Sequence, residues 1–242
     1  MRVFVAGATG VVGRRLVPLL LSAGCEVHGT TRRRERADAL RAQGVTPVIL
    51  DVFDEAAVRA AVVSARPELV IHQLTDLAQL GDPETRAAAL AANARIRIEG
   101  TRHLVDAALA AGARRLVAQS IAFVYAPGLE PHDESDPLDD EAVGLRGVTV
   151  AGVRALEAAV LNAQGVEGVV LRYGQFYGPG SGTDAPPGQP SLHVDAAACA
   201  AWLAGSRGHS GVYNIVDDGP SVLNQKAVRE LGWSPAWRLE TA

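Results

Sequence analysis

Lysine is nearly missing: Lys226 is the only one among 242 residues, so arginine carries almost all of the positive charge. Cysteine is scarce as well. Cys25 and Cys199 share no metal or redox spacing, so two reduced, partly buried thiols are expected and a disulfide scaffold is excluded. His28, His72, His103, His132, His193 and His209 fall at no ligand spacing with one another or with the cysteines, and no metal site is expected. A Gly-x-Ser-x-Gly elbow is absent, which removes the commonest serine-hydrolase pattern. No apolar run reaches the length of a membrane span, and the opening strand carries Arg2 where a leader would have a charged segment and a long apolar core; a cytoplasmic location is expected. A net charge of −4 gives no electrostatic footprint for nucleic acid or an anionic membrane. Repeats and low-complexity tracts are also absent. What is present is 48% hydrophobic and 21% charged, enough for one well-filled core, and residues 1–242 are expected to form one domain.

The chain is organised around its first thirteen residues, an apolar strand running into the turn Gly7-x-x-Gly10-x-x-Gly13 and then a helix. Gly7 permits the tight turn, Gly10 lets the backbone approach a pyrophosphate, and Gly13 lets the helix pack closely on the strand. The helix start, with Thr9, Val11 and Val12, would offer free N–H groups and a positive dipole end to phosphates. Further on, β-branched runs at 2–6, 26–30, 46–49, 69–72, 115–119, 168–172 and 212–215 alternate with helical segments at 13–23, 33–42, 55–64, 85–111, 150–164 and 196–203. This alternation predicts a Rossmann-type, doubly wound parallel α/β sheet. Two irregular stretches, 127–141 (acidic) and 179–192 (rich in Gly and Pro), are expected as loops near strand ends where such sheets bind ligands.

The second strand bears on which dinucleotide is taken. An NAD site places an acid at its end, but this segment reads Thr30-Thr31-Arg32-Arg33-Arg34. Arg32 or Arg33 can clamp a 2′-phosphate, which argues for NADP over NAD; a solvated basic run opening a helix is the plainer reading. Asp51 and Val52, past the third strand, would sit beside the adenine, or Asp51 would serve only in a helix cap with Asp54 nearby.

The turn Gly7-x-x-Gly10-x-x-Gly13, Asp51-Val52, Val70-Ile71-His72 and Gly100-Thr101-Arg102-His103-Leu104-Val105-Asp106-Ala107-Ala108 occur in the order of a known family. Gln119-Ser120-Ile121-Ala122-Phe123-Val124-Tyr125, Leu171-Arg172-Tyr173-Gly174-Gln175-Phe176-Tyr177-Gly178-Pro179-Gly180, His193-Val194-Asp195 and Gly211-Val212-Tyr213-Asn214-Ile215 continue the likeness. The chain resembles the extended short-chain dehydrogenase/reductases, the NAD-dependent epimerase/dehydratase family. The resemblance implies a cofactor held by Gly7, Thr9, Gly10, Val11, Val12, Gly13, Arg32, Arg33, Asp51, Val52, Leu74, Thr75, Gln119 and Tyr173. It implies substrate contacts at Tyr125 and Gln175, and a homodimer paired through the Ala-rich helices 85–111 and 150–164.

Two departures qualify it. Family members carry Tyr-x-x-x-Lys on the helix that holds Glu157; counted back from that residue, those positions are Thr149 and Val153. In the family that Tyr is the acid/base, and the Lys holds the nicotinamide ribose and lowers the Tyr pKa, so the usual proton-transfer groups are missing. Residue 121, the family's Ser/Thr position, is Ile, which leaves Ser120 as the nearest hydroxyl and, with His193, the candidate for catalysis. The stretch between Pro179 and His193 is short as well, so the substrate region, within 173–242, is expected to be much reduced and to favour a small or flat carbonyl-containing metabolite over a nucleotide sugar. Three functions are expected from these residues: an NADP-dependent reductase or epimerase; a redox-neutral cyclase, isomerase or dehydratase on the same fold; and a non-catalytic NADP-binding sensor.

Overall fold

Val3 and Val5 of strand β1 (Arg2–Ala6) point into one apolar layer while Phe4 and Ala6 point into the other, so this strand is buried on both faces. The computed structural model describes residues 1–76 and 80–239. Helix α1 (Val11–Ser22) lays Val12, Leu16, Val17 and Leu20 on the first layer at helical spacing. Strand β2 (Glu26–Thr31), helix α2 (Arg34–Ala42), strand β3 (Thr46–Ile49), helix α3 (Glu55–Ala65) and strand β4 (Leu69–His72) follow the expected pattern. Asp54 caps α3, its carboxylate accepting from the Ala57 N–H at 3.0 Å.

The helix expected over 85–111 is divided. Helix α4 (Arg86–Arg95) passes through a π-helical turn (Ile96–Gly100) into α5 (Thr101–Ala111). Gly100 lies in that turn because a side chain there would press into Val52. After β5 (Arg115–Ile121), helix α6 (Gly144–Leu161) begins at Gly144 where sequence periodicity places its start at residue 150. Gly144 and Gly147 read as breakers, and they serve the local turn that opens the helix: a Cβ on Gly147 would lie 2.5 Å from the Ala142 carbonyl oxygen. Strand β6 (Glu167–Tyr173) then leads to two short strands, β7 (Gln175–Tyr177) and β8 (Ser191–His193), which pair with each other. Helix α7 (Val194–Ala204), strand β9 (Gly211–Ile215) and helix α8 (Gln225–Leu231) complete the chain. Strands β7 and β8 and helix α8 are too short to stand out from periodicity.

The main sheet runs β3-β2-β1-β4-β5-β6-β9, all parallel. Helices α1 and α7 cover one face; α3, α5 and α6 cover the other. Strand order reverses between β1 and β4, and at such a point the loops on either side part and leave a crevice at the carboxyl ends of the strands. None of the described helices is long and apolar enough to cross a membrane.

Candidate active site

A cleft of about 1120 Å3 occupies that crevice and extends from the β2 and β3 ends, past the glycine turn, to the ends of β5 and β6. Gly7, Thr9, Gly10, Val11 and Val12 line its middle. Gly7 has a positive φ of 94°, and a Cβ on it would lie 2.7 Å from the Gln73 carbonyl oxygen, so only glycine makes this turn. Its N–H donates to Thr30 Oγ1 at 2.9 Å. The N-terminus of α1 has no side-chain cap, which leaves its first N–H groups for a ligand. Gly13 does not line the cleft. A Cβ there would meet the Gly7 carbonyl oxygen at 2.2 Å, so its part is to seat the helix behind the turn, and it touches no ligand space itself.

On the β2 and β3 side the cleft is basic, with Arg32, Arg33 and Arg36 along it. Arg32 is 62% exposed, and its one charge partner among the described residues, Asp76, is 3.8 Å away. Asp51 accepts from the Phe53 N–H at 3.0 Å, closing the turn that presents Val52 to the cleft, and His103 Nδ1 lies 2.8 Å from the Val52 carbonyl oxygen. Leu74 and Thr75 line the wall after β4. His72, beneath them, is buried and held neutral, its pKa pushed down to about 4 by burial first and by the Arg97 charge second. Its Nδ1 accepts from the Leu74 N–H at 3.1 Å, so the proton sits on Nε2, which donates to Thr101 Oγ1 at 3.1 Å.

The β5 and β6 side differs most from expectation. Gln119, Tyr173 and Gln175 line it, but Ser120 and Tyr125 do not. Adjacent strand residues face opposite ways, so Gln119 and Ile121 reach the cleft while Ser120 faces α6. There its hydroxyl donates to Glu157 Oε1 at 2.8 Å, and the same carboxylate takes two bonds from Arg172, at 2.9 and 2.7 Å. Arg172 also donates to the Tyr125 hydroxyl at 2.9 Å, which donates in turn to Asn214 Oδ1 at 2.7 Å. Ser120 and Tyr125 therefore belong to a buried network tying β5, β6, α6 and β9 together, outside the cleft lining where catalytic and substrate-binding roles were expected of them. His193 is also placed away from the cleft: its Nδ1 caps α7 by accepting from the Asp195 N–H at 3.2 Å, and it lies outside the cleft lining, edge-on to Tyr177. The acidic stretch 127–141 also stays clear of the cleft, its His132 backbone bonded to Ser221 and Leu223.

What remains near the ends of β5 and β6 is apolar: Ile121, Phe123, Val124, Leu145 and Phe176, with Thr149 among them. Arg146 is tied to Asp139 at 2.5 Å and to the Phe123 and Tyr125 carbonyls. The Tyr173 hydroxyl donates away from the cleft to the Ala197 carbonyl at 3.3 Å, and burial pushes its pKa well up. Gln73 Oε1 is buried and has no hydrogen-bond partner among the described residues. The uncapped helix, the glycine cradle and this orphaned acceptor fit a dinucleotide. Sequence reasoning missed Arg97 and Asn93, both at the cleft, because they lie within an Ala-rich helix whose charges read as a solvated face.

The description "NAD dependent epimerase/dehydratase family" matches residues 3–215. A Streptomyces protein named 3-diazoavenalumate denitrifying reductase is 42% identical, over 100% of this chain and 85% of its own length. The dTDP-4-dehydrorhamnose reductase of Streptomyces griseus is 31% identical over 97% of this chain and 78% of its own. Among solved structures, a short-chain dehydrogenase/reductase superfamily protein from Agrobacterium tumefaciens with bound NAD superposes with a TM-score of 0.76 at 19% identity, covering 98% of this chain and 93% of that one. UDP-glucose 4-epimerase from Thermotoga maritima gives 0.74 at 17% identity, over 98% and 94%. These two share the fold, and with the family match and the reductase relatives they lead to one conclusion: the chain belongs to the NAD-dependent epimerase/dehydratase family.

Proposed function

We propose that this protein is an NADP-dependent reductase that delivers hydride to a flat aromatic acid carrying a diazo group, which leaves as dinitrogen. The observation that carries the reading is the want, among the described residues, of a free proton donor at the β5 and β6 end of the cleft. Thr149 and Val153 stand where the family has Tyr and Lys, Ser120 is committed to Glu157, and Tyr173 is turned away with a raised pKa. Reduction of a carbonyl needs a proton as well as a hydride. Replacement of an aryl diazonium does not: hydride adds at the ring carbon, the C–N bond breaks, and its electron pair leaves with N2.

A bound nicotinamide would supply the hydride and the two electrons; the rest of the work falls to the chain. Ile121, Phe123, Leu145 and Phe176 form an apolar wall suited to a planar ring, and a ring lying against it would shield the reacting carbon from water. Water exclusion matters because a diazonium is hydrolysed by water. The 42%-identical relative, whose name describes reductive removal of nitrogen from a diazo acid, supports the same chemistry. Arg32 and Arg33 support NADP over NAD: both line the cleft and would hold a 2′-phosphate, and Arg32 is now only loosely paired with Asp76 at 3.8 Å. Residues 173–242 form the substrate side in this reading, and a second copy of the chain covers the exposed Leu145, Val148 and Ile98.

The experiment is incubation of the protein with a 4-deuterated NADPH and an aryl diazonium acid, followed by mass analysis of the product and collection of gas. Deuterium on the ring and one N2 per cofactor oxidised are expected. Turnover with ketones or quinones and none with the diazonium would establish a carbonyl acceptor. Cofactor binding without turnover on any acceptor would leave the scaffold or sensor function.

A further inference from the structure

Arg97 is a buried cation that none of the described residues satisfies. It sits on the π-helical turn between α4 and α5, is 6% exposed, and lines the cleft. Among the described residues its guanidinium makes no hydrogen bond and no ion pair. Burial draws its pKa down to about 10, and the Glu157 carboxylate opposes that only at a distance. Glu157 is itself saturated, holding Arg172 with both oxygens and Ser120 with one. The other neighbour, His72, is neutral with its Nε2 proton given to Thr101, and so repays nothing. Along α6 the nearest cation facing the cleft, Arg146, is tied to Asp139. A desolvated guanidinium with donors free towards a cleft calls for an acceptor brought by the ligand.

Position says which part of the ligand. Arg97 lines the cleft from the π-helical turn, which packs against α6, and the two groups that act on its charge, Glu157 and His72, stand against β5 and β6 and at the end of β4. The unpartnered Gln73 Oε1 lies on the same side. We infer that Arg97 is a cofactor-binding residue that donates to a ribose or phosphate oxygen on the nicotinamide half of the dinucleotide, fixing that half as Arg32 fixes the adenosine half. The inference rests on the dinucleotide reading of the cleft and is independent of the acceptor substrate.

Calorimetric titration of wild type, Arg97→Met and Arg97→Lys with NADPH and with adenosine 2′,5′-bisphosphate, which lacks the nicotinamide half, tests it. Arg97→Met is expected to weaken NADPH roughly ten- to a hundred-fold, the range of a charge-assisted bond, and to leave the bisphosphate within about two-fold. Arg97→Lys keeps the charge, loses the fork, and should lose roughly three- to ten-fold for NADPH alone. The Tm gained on adding NADPH should shrink in parallel, while the ligand-free Tm of Arg97→Met holds or rises because an unsatisfied charge has gone. Unchanged NADPH affinity in both variants overturns the inference, including the case where only KM for the acceptor rises. An equal loss for both probes overturns it too, as general damage. If wild type binds neither probe, the dinucleotide reading has failed first, and the two failures are told apart by that arm.

Discussion

The hydroxyl of Ser120 is a donor already spent, and its removal tests structure before catalysis. Ser120→Ala takes one charge-assisted bond from a buried carboxylate, so a loss of about 1–3 kcal/mol is expected by thermal melting, with turnover within a few-fold of wild type. A large fall in turnover at unchanged Tm would return the hydroxyl to the active site. Arg32 is the opposite case, exposed and loosely paired with Asp76. Arg32→Ala should weaken NADPH by about one to two decades and NADH hardly at all, as read by titration. His72 makes stability depend on pH. Its folded pKa, about 4, lies below the unfolded value of about 6.5, so the folded form excludes a proton that the unfolded chain accepts. The contribution is present in full above pH 6.5 and is lost as pH falls through the interval down to 4, up to about 3 kcal/mol. Melts of wild type and His72→Asn across that interval should show a flatter profile for the variant.

At the scale of elements, the strand-turn-helix unit at the start of the chain is the most constrained piece, because its contacts are backbone to backbone. A Cβ at Gly13 would sit 2.2 Å from the Gly7 carbonyl oxygen, so Gly13→Ala must push α1 off β1. The expected cost is about 2–3 kcal/mol, or roughly 5–10 °C in Tm, together with loss of NADPH binding. A variant that melts and titrates like wild type would show that the turn has slack which the geometry denies. This unit was legible in sequence because glycine is demanded there locally. The π-helical turn was not, since a single residue of extra winding leaves hydrophobic periodicity almost unaltered. The early start of α6 was hidden for a different reason: Gly144 and Gly147 signal a break, and here they form the local turn that opens the helix, Gly144 at a φ of 59° and Gly147 close against the Ala142 carbonyl.

For the molecule as a whole, the two Ala-rich helices were expected to pair across a dimer axis. Within one chain they already use their small residues on each other. A Cβ on Gly152 of α6 would lie 3.0 Å from the Ala94 Cα of α4. Leu145, Val148 and Ile98 remain 44%, 40% and 47% exposed on or beside those helices, a modest apolar face for a second copy to bury. Light scattering at micromolar concentration should return twice the chain mass of 25.3 kDa, and a monomer mass there would remove the dimer.

The sequence by itself determined the parallel sheet, the glycine turn and the basic end of the cleft, since strand periodicity, the demand for glycine and runs of charge are local properties. It also determined that the Tyr and Lys of the family are missing. Which side chains reach the cleft at its other end was decided by tertiary structure. Ser120 differs from Gln119 and Ile121 only in strand parity, and the partner that claims it, Glu157, comes from a helix 37 residues away. Arg97 reads as one more charge on a helix until the fold buries it at the cleft, where the one carboxylate that acts on it has its bonds already taken and the neighbouring histidine is neutral.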